Sequence, residues 1–421
     1  MTEAPLWGAD PSSAAPPNEI VAADVHMLRC YEQAMYLKSI RLTDFRVHER
    51  TECTFAPSVN LLYGPNGAGK TNVLDAIHYA CLSKGFVTSG DRYIVRRGAK
   101  HTEVEGLFVS DGGRERRVRM AYVPGEGKRM FMNGVAQERV SSMVGQLPVV
   151  ACAPQDYALT SGGPDNRRRF VDNLLCQATP LYLDGLLRFR RVLKQRNRYL
   201  AGMKEGGSMD NTPAILSSWD EQLVTFGSRI VQARQGFTDA FADYLHQAYE
   251  AIESVAEKPT MEYHANLRLS AAAPLETIQA AYRDKLAAVF EDECRRGTTL
   301  AGPHLDDLAF RLDDMLVRRY ASQGQHRTFG MALKLAMYAF LQERTGERPI
   351  LLLDDVFEHL DASRSKAFLD LLQSDRIGQT IISATDRRPF DGLVPFDEGQ
   401  HRALFVEDGQ VRPLASAESG A

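Results

Sequence analysis

The sequence lacks any long apolar run: nowhere in its 421 residues does one approach the ~18 needed to span a bilayer. That argues against a helical membrane anchor and predicts a soluble, cytoplasmic protein with no membrane partner. Residues 1–34 are rich in Ala and Pro and carry acids, so they lack the basic start and apolar middle of a signal peptide. They read as a disordered tail, or as translation from an upstream start, because Met35 opens the first convincing strand. Cysteine is sparse as well: Cys30, Cys53, Cys81, Cys152, Cys176 and Cys294 are scattered without C-x-x-C spacing, which excludes a disulfide scaffold and fits reduced thiols. Nor is there an excess of positive charge. A formal charge of -4 gives no global pull toward a polyanion, so any nucleic-acid surface must come from local clustering of the 50 Lys and Arg.

What is present suffices for two or three domains, with 44% hydrophobic residues to fill their cores. Alternation over 36–48, a short stretch at 51–55 and an apolar run at 60–63 read as strands. A helix is expected over 69–83 and short strands near 103–109, 115–123, 129–132 and 147–153. Residues 165–298 are helix-rich, with one strand signal near 260–269, and look like a separate arm. There Ile215, Trp219, Leu223, Phe226, Ile230, Phe237, Phe241 and Leu245 recur at helical spacing, with a gap near Ala233 and Arg234. The helical segments look short and broken by Gly206-Gly207 and Pro213, which suits an arm and not a long coiled-coil rod. Beyond residue 300 strand and helix alternate again: Asp307–Leu312, Gly324–Arg344, Pro349–Leu353, Ala362–Gln373 and Gln379–Ser383. The first and last thirds are therefore expected to build one sheet together. The resulting domain plan is a tail (1–34), a head split between 35–164 and 299–410, an inserted helical arm (165–298) and a second tail (411–421).

Three patterns carry chemistry. Gly64, Pro65, Asn66, Gly67, Ala68, Gly69, Lys70 and Thr71 match the P-loop, with a strand before and a helix after. Glycines there let backbone N–H groups cradle phosphates at a helix N-terminus, Lys70 neutralises the β and γ phosphates of ATP, and Thr71 ligates Mg²⁺. The apolar strand Ile350–Leu353 ends in Asp354 and Asp355. Beside a P-loop, Asp354 would hold Mg²⁺ through water and Asp355 would position or deprotonate the attacking water; the alternative is a helix cap. Ser322, Gly324 and Gln325 stand before an amphipathic helix, where a hydroxyl and backbone donors suit a γ-phosphate; alone, the pattern is an ordinary helix start.

Basic clusters at Arg92, Arg96, Arg97 and Lys100, at Arg114, Arg116, Arg117 and Arg119, at Arg167–Arg169, and at Arg188, Arg190, Arg191, Lys194, Arg196 and Arg198 are candidate phosphate-binding surfaces or solvated faces. The last run contains no acid.

In this order, the P-loop, the Ser-x-Gly-Gln signature, the acid-ended strand and the following Leu360-Asp361 match ABC-class ATPases. The stretches Leu42–Arg46, Gly64–Asn72, Gly162–Asp172, Lys194–Asn197, Thr299–Asp307 and Ser322–Arg327 narrow the match, so that residues 36–385 resemble the RecF family. That resemblance implies an α/β ABC-type ATPase head with an inserted helical arm. It adds Arg46, Asn72, Asp361 and the signature residues to the nucleotide contacts. It also implies an ATP-induced homodimer in which each P-loop faces the partner's signature. DNA binding at single-strand gaps and duplex junctions, and work with RecR- and RecO-type mediators, follow from the same resemblance. Two departures stand out. Gln155, in Pro154-Gln155-Asp156, falls where a glutamine loop with a metal or water contact is expected, and Thr385 takes the place of the usual switch histidine. Asp355, where most ABC-class ATPases carry Glu, suggests slow hydrolysis. An ABC transporter subunit and an SMC-like scaffold are the rival readings. The scaffold would need hundreds of heptad residues, where about 280 residues in all separate the two motifs.

Overall fold

The computed structural model describes residues 35–413 apart from 88–89, 111, 205–211, 253–256, 271, 360–361 and 397–398. The expectations for 1–34, Cys30, Gly206-Gly207, Leu360 and Asp361 lie outside the described residues.

Strands β1 (Met35–Phe45) and β2 (His48–Thr54) form a hairpin, which β4 (Thr102–Ser110), β5 (Glu115–Val123), β6 (Gly127–Met132) and β7 (Val135–Gln137) extend into an antiparallel sheet of order β2-β1-β4-β5-β6-β7. In β4 burial alternates at every residue, as a sheet with one covered face requires.

A second sheet has the order β15-β14-β3-β13-β12-β8. Its strands are β3 (Val59–Tyr63), β8 (Val149–Cys152), β12 (Ile350–Asp354), β13 (Thr380–Ala384), β14 (Arg402–Glu407) and β15 (Gln410–Pro413), parallel except for β15. First and last thirds thus share one sheet, as their pattern implied. Both faces of this sheet are covered, which is why β12 and β13 are apolar without alternation. Leu351 and Leu353 face the helices, while Ile350 and Leu352 face helix α1 (Lys70–Leu82) and the antiparallel sheet.

The helices are α2 (Tyr157–Ser161), α3 (Pro164–Ala178), α4 (Pro180–Lys204), α5 (Thr212–Ile252), α6 (Leu275–Arg296), α7 (Val317–Tyr320), α8 (Gln323–Thr345) and α9 (Ala362–Leu372). Helix α5 corrects the expectation of short segments: it has 41 residues and spans about 60 Å. Pro213 does not break it, because it falls in the first turn, where a missing N–H costs nothing. Its stripe also needs correction. Leu223, Ile230, Phe237, Phe241 and Leu245 are buried, but Ile215 is exposed and Leu216 takes its place. The gap in the stripe holds a buried arginine, Arg234.

The strand Asp307–Leu312 (β10) does not join the shared sheet. It pairs with β9 (Pro259–His264) and with β11 (Met315–Leu316) in a separate three-stranded sheet. Among the described residues no helix is long and apolar enough to cross a membrane, and Cys53, Cys81, Cys152, Cys176 and Cys294 are free and buried.

Candidate nucleotide site

The P-loop leaves β3 at Gly64 and enters α1 at Lys70. Gly64 has φ 150°, and a Cβ there would lie 2.1 Å from the Val406 carbonyl oxygen on β14. Gly69 has φ 111° and lies against His48, whose ring nitrogen a Cβ would meet at 2.8 Å. Both glycines are thus required by conformation and by close approach. Pro65, Asn66 and Gly67 are exposed, Ala68 and Lys70 are buried, and Thr71 and Asn72 are half-buried. Lys70 curls back, donating from Nζ to the carbonyls of Gly64 (2.8 Å) and Pro65 (3.0 Å), and so holds its charge inside the loop. Remote segments brace the loop from outside. Gly409 N–H donates to Ala68 O (3.0 Å), and His48 sits with Nε2 3.1 Å from Gly69 O and Nδ1 2.8 Å from Gly409 O. Burial holds the His48 pKa below its ordinary value, against the pull of the two carbonyls in the other direction.

The acids converge on the same end of the sheet. Thr71 Oγ1 donates to Asp354 Oδ1 at 2.8 Å, which brings the start of α1 to the end of β12. Ser383 on β13 completes the group: its hydroxyl lies 2.7 Å from Asp354 Oδ1 and 3.2 Å from Asp355 Oδ1, and accepts the Asp355 N–H at 3.0 Å. The sequence reading missed Ser383 and His48. The signal for Ser383 lies in strand register, since β12 and β13 pair Asp354 with Ser383. Asp355 has φ 51°, a left-handed conformation unusual for a residue with a side chain. Burial raises the pKa of both carboxyls; at Asp355 the neighbouring charges of Asp354 and Glu358 add to it, which moves that group toward the range of a working base.

Other expected contacts are placed less directly. Arg46 donates from Nε and Nη2 to Asp75 Oδ2 (3.0 and 2.5 Å), one turn beyond Thr71 on α1. Gln155 is exposed, while its neighbour Asp156 is anchored by Ala153 N–H (2.8 Å) and Lys334 (3.0 Å). Thr385 is exposed just past β13. Ser322 caps α8: its hydroxyl accepts Gln325 N–H (3.2 Å), the Gln325 side chain accepts Ser322 N–H (2.8 Å), and Gln325 Nε2 donates to Glu257 (2.8 Å). Gly324 instead lines a cavity of about 500 Å³ together with Asp354 and Asp355. Among the described residues, no hydrogen bond joins the signature to the P-loop.

The basic clusters divide. Arg196 is 1% exposed and bonds Asp220 (2.7 Å), Glu293 (2.7 Å) and Thr299 (2.9 Å), so it is not a surface cation. Arg167 is buried against Asp307 through two bonds of 2.8 and 2.9 Å. Arg116 donates to Gln146 O, and Arg117 pairs with Glu105. Arg96 pairs with Asp44, and Arg92 lies over Tyr93. Arg169, Arg190, Arg191, Lys194 and Arg198 remain exposed. The recurring stretches of the sequence are joints. Asn197 accepts from Thr299 N–H (2.8 Å), and Arg234 ties Asp172 (2.8 Å) to Asp306 (3.1 Å).

Comparison with known proteins places the family and the fold. The family described as RecF/RecN/SMC N terminal domain matches residues 36–394. The DNA replication and repair protein RecF of Salinibacter ruber is 51% identical over 375 residues, covering 89% of this chain and 91% of that protein. The protein of the same name from Chloroherpeton thalassium is 42% identical over 359 residues, with 85% and 96% covered. Among solved structures, that of the recombination mediator protein RecF-ATP in the RecFOR pathway superposes with a TM-score of 0.83 at 28% identity, over 93% of this chain and 100% of the other. A structure of the Smc head bound to the C-winged helix domain of ScpA is 14% identical, covers 91% and 98%, and has a TM-score of 0.50; that likeness concerns the fold.

Proposed function

The chain belongs to the RecF family, with an ABC-type ATPase head, and on that footing we propose that it is an ATP-dependent DNA-binding protein of replication and recombinational repair. It acts at single-strand gaps and duplex junctions as an ATP-induced homodimer, hydrolyses ATP slowly, and works with RecR- and RecO-type mediators in loading recombinase. The observation that carries the reading is the convergence of Thr71, Asp354, Asp355 and Ser383 where α1 begins. Relatives named for DNA replication and repair, and the related structure with ATP, support it.

Lys70 releases its two loop carbonyls to meet phosphate oxygens, and the loop N–H groups complete the cradle. Thr71 and Asp354 form an all-oxygen donor pair of the kind Mg²⁺ takes, the ion supplying charge neutralisation at the phosphates. Asp355, one residue on, orients the water, and its side chain, one methylene shorter than Glu, fits slow turnover. Ser322, Gly324 and Gln325, with Asp361, complete the site from a second copy; residues 165–298 act as an arm inserted into the head. Closure on ATP brings exposed basic surfaces of two copies together, so ATP and DNA affinities are reciprocally coupled.

Fluorescence anisotropy of a gapped duplex at fixed salt, with and without ATP, tests this. ATP should tighten binding in the native protein and have no effect in Lys70→Ala. Asp355→Asn should bind ATP, stay dimeric and fail to hydrolyse. Normal hydrolysis in both variants would refute the site. Mixing Lys70→Ala with Ser322→Arg subunits should restore part of the activity if the site is shared between copies, and none if it is not.

A further inference from the structure

Two cavities, the larger of which adjoins the nucleotide site through Ala153, Asp156 and Lys334, meet at one arginine, Arg169. The larger, about 630 Å³, lies past the C-terminal end of α1, and its wall includes Lys84, Asn166, Arg169 and Asn173. The smaller, about 230 Å³, includes Arg168, Arg169, Asp172, Arg190 and Arg234. The charge along them does not balance. Of the acids in their walls, Asp156 is matched by Lys334 and Asp165 by Arg168, while Asp172 is shared by Arg234, Arg190 and the Tyr182 hydroxyl. Among the described residues neither Arg169 nor Lys84 has a carboxylate within ion-pair distance. His78 and His304, which also line the cavities, are held neutral by burial, with pKa values lowered to about 4.

We propose that the two cavities form one groove for successive backbone phosphates of DNA, with Arg169 and Lys84 as its main cations and Arg190 at its edge. This rests on the DNA-binding reading above and gives it a location. Burial, and after it the charges of Arg190 and Arg169, hold the Lys84 pKa below its ordinary value, while Asp172 acts in the opposite sense. Asn166, whose amide also donates to Ala158 O (3.2 Å), and Asn173 line the larger cavity with Lys84 and Arg169, and amide and cationic donors together suit phosphate oxygens.

The groove also reaches the P-loop helix through hydrogen bonds. Lys84 opens a short loop whose next N–H groups, those of Phe86 (2.7 Å) and Val87 (3.1 Å), donate to Asp75 Oδ1. Asp75 lies one turn from Thr71 on α1 and is held on its other oxygen by Arg46. A phosphate drawn to Lys84 therefore acts on the helix that begins in the P-loop, and ATP acts on the groove through the same helix.

The test uses the full-length protein with ATP and a gapped duplex, with anisotropy measured across ~50 to 200 mM salt. Lys84→Gln with Arg169→Gln should weaken binding and flatten the log–log salt dependence by about 0.9 for each phosphate that is no longer neutralised. Arg169→Lys should restore most of the slope. Arg295→Gln is the control. It sits in the last turn of α6, paired with Asp292 and two residues before Gly297, which lies against Lys204, 14 residues or about 20 Å along α4 from Arg190, and it should change nothing. An unchanged slope in the double variant, or an equal loss in the control, overturns the groove while leaving DNA binding intact. Failure of the native protein to bind DNA overturns the groove and the functional reading together. In the double variant the tightening of DNA binding by ATP should also shrink.

Discussion

The nucleotide end and the helical arm both bury charge, but they hold it by different means. At the P-loop, Lys70 is satisfied by carbonyls five and six residues away, so the charge, its acceptors and the required glycines lie in one short stretch. In the arm, Arg196 and Arg234 are equally buried, yet their partners lie between 24 and 103 residues away. The first arrangement is a local geometry that any copy of the motif reproduces. The second exists only after five or six elements have packed, and it pins them in one arrangement. Lys70 is held ready to meet a ligand's charge, whereas Arg196 and Arg234 are already neutralised by carboxylates of the protein.

The largest effect expected from this contrast is on stability. Arg234→Ala leaves Asp306 buried without a counter-charge and Asp172 with only the half-exposed Arg190, and should cost about 3–5 kcal/mol in chemical denaturation. A cost near zero would mean that the arm's ion network is decorative. Ser383→Ala should be smaller, about 1.5–3 kcal/mol, since it removes a hydroxyl bonded to two carboxylates, but it should reduce ATP hydrolysis more than it reduces stability. If its effect fell on stability alone, the carboxylate pair would be a structural cap.

Each region also contains a buried neutral histidine, His78 beside α1's end and His304 in the arm joint, both with pKa values lowered by burial from 6.5 to about 4. Between those values the unfolded chain takes up protons that the folded chain refuses, so both residues make the protein less stable as pH falls from 6.5 toward 4. Comparing His304→Asn with the native protein at pH 7 and pH 5 should show a shallower acid loss, by up to about 2 kcal/mol. An identical pH profile would place His304 in contact with solvent. At the bottom of the scale, Arg283→Ala breaks an exposed pair with Glu221 and should leave the denaturation midpoint unchanged.

Much of the site was legible because its parts are local. Gly64–Thr71 specify a strand–loop–helix, and Ile350–Asp355 specify a covered strand ending in acids. Ser322 and Gln325 were visible as a helix start, because a capping box spans only four residues. Ser383 and His48 were not, since nothing adjacent marks them; strand register brings the first to Asp354, and a hairpin brings the second beneath Gly69. The basic runs misled in part for the same reason. Within one helix, Arg196 and Arg198 look alike, and only packing shows that one is sealed against Glu293 while the other faces water.

The sequence by itself determined the P-loop and the acid-ended strand, the order of the motifs and the sheet shared by both ends of the chain, because glycine conformation, apolar periodicity and acid placement act over a few residues. Tertiary structure decided which arginines are structural, which strand Asp307–Leu312 pairs with, and which cations are left unbalanced in a groove. Those depend on burial and on partners distant in the chain, and the free energy of a buried charge is set by what surrounds it in space.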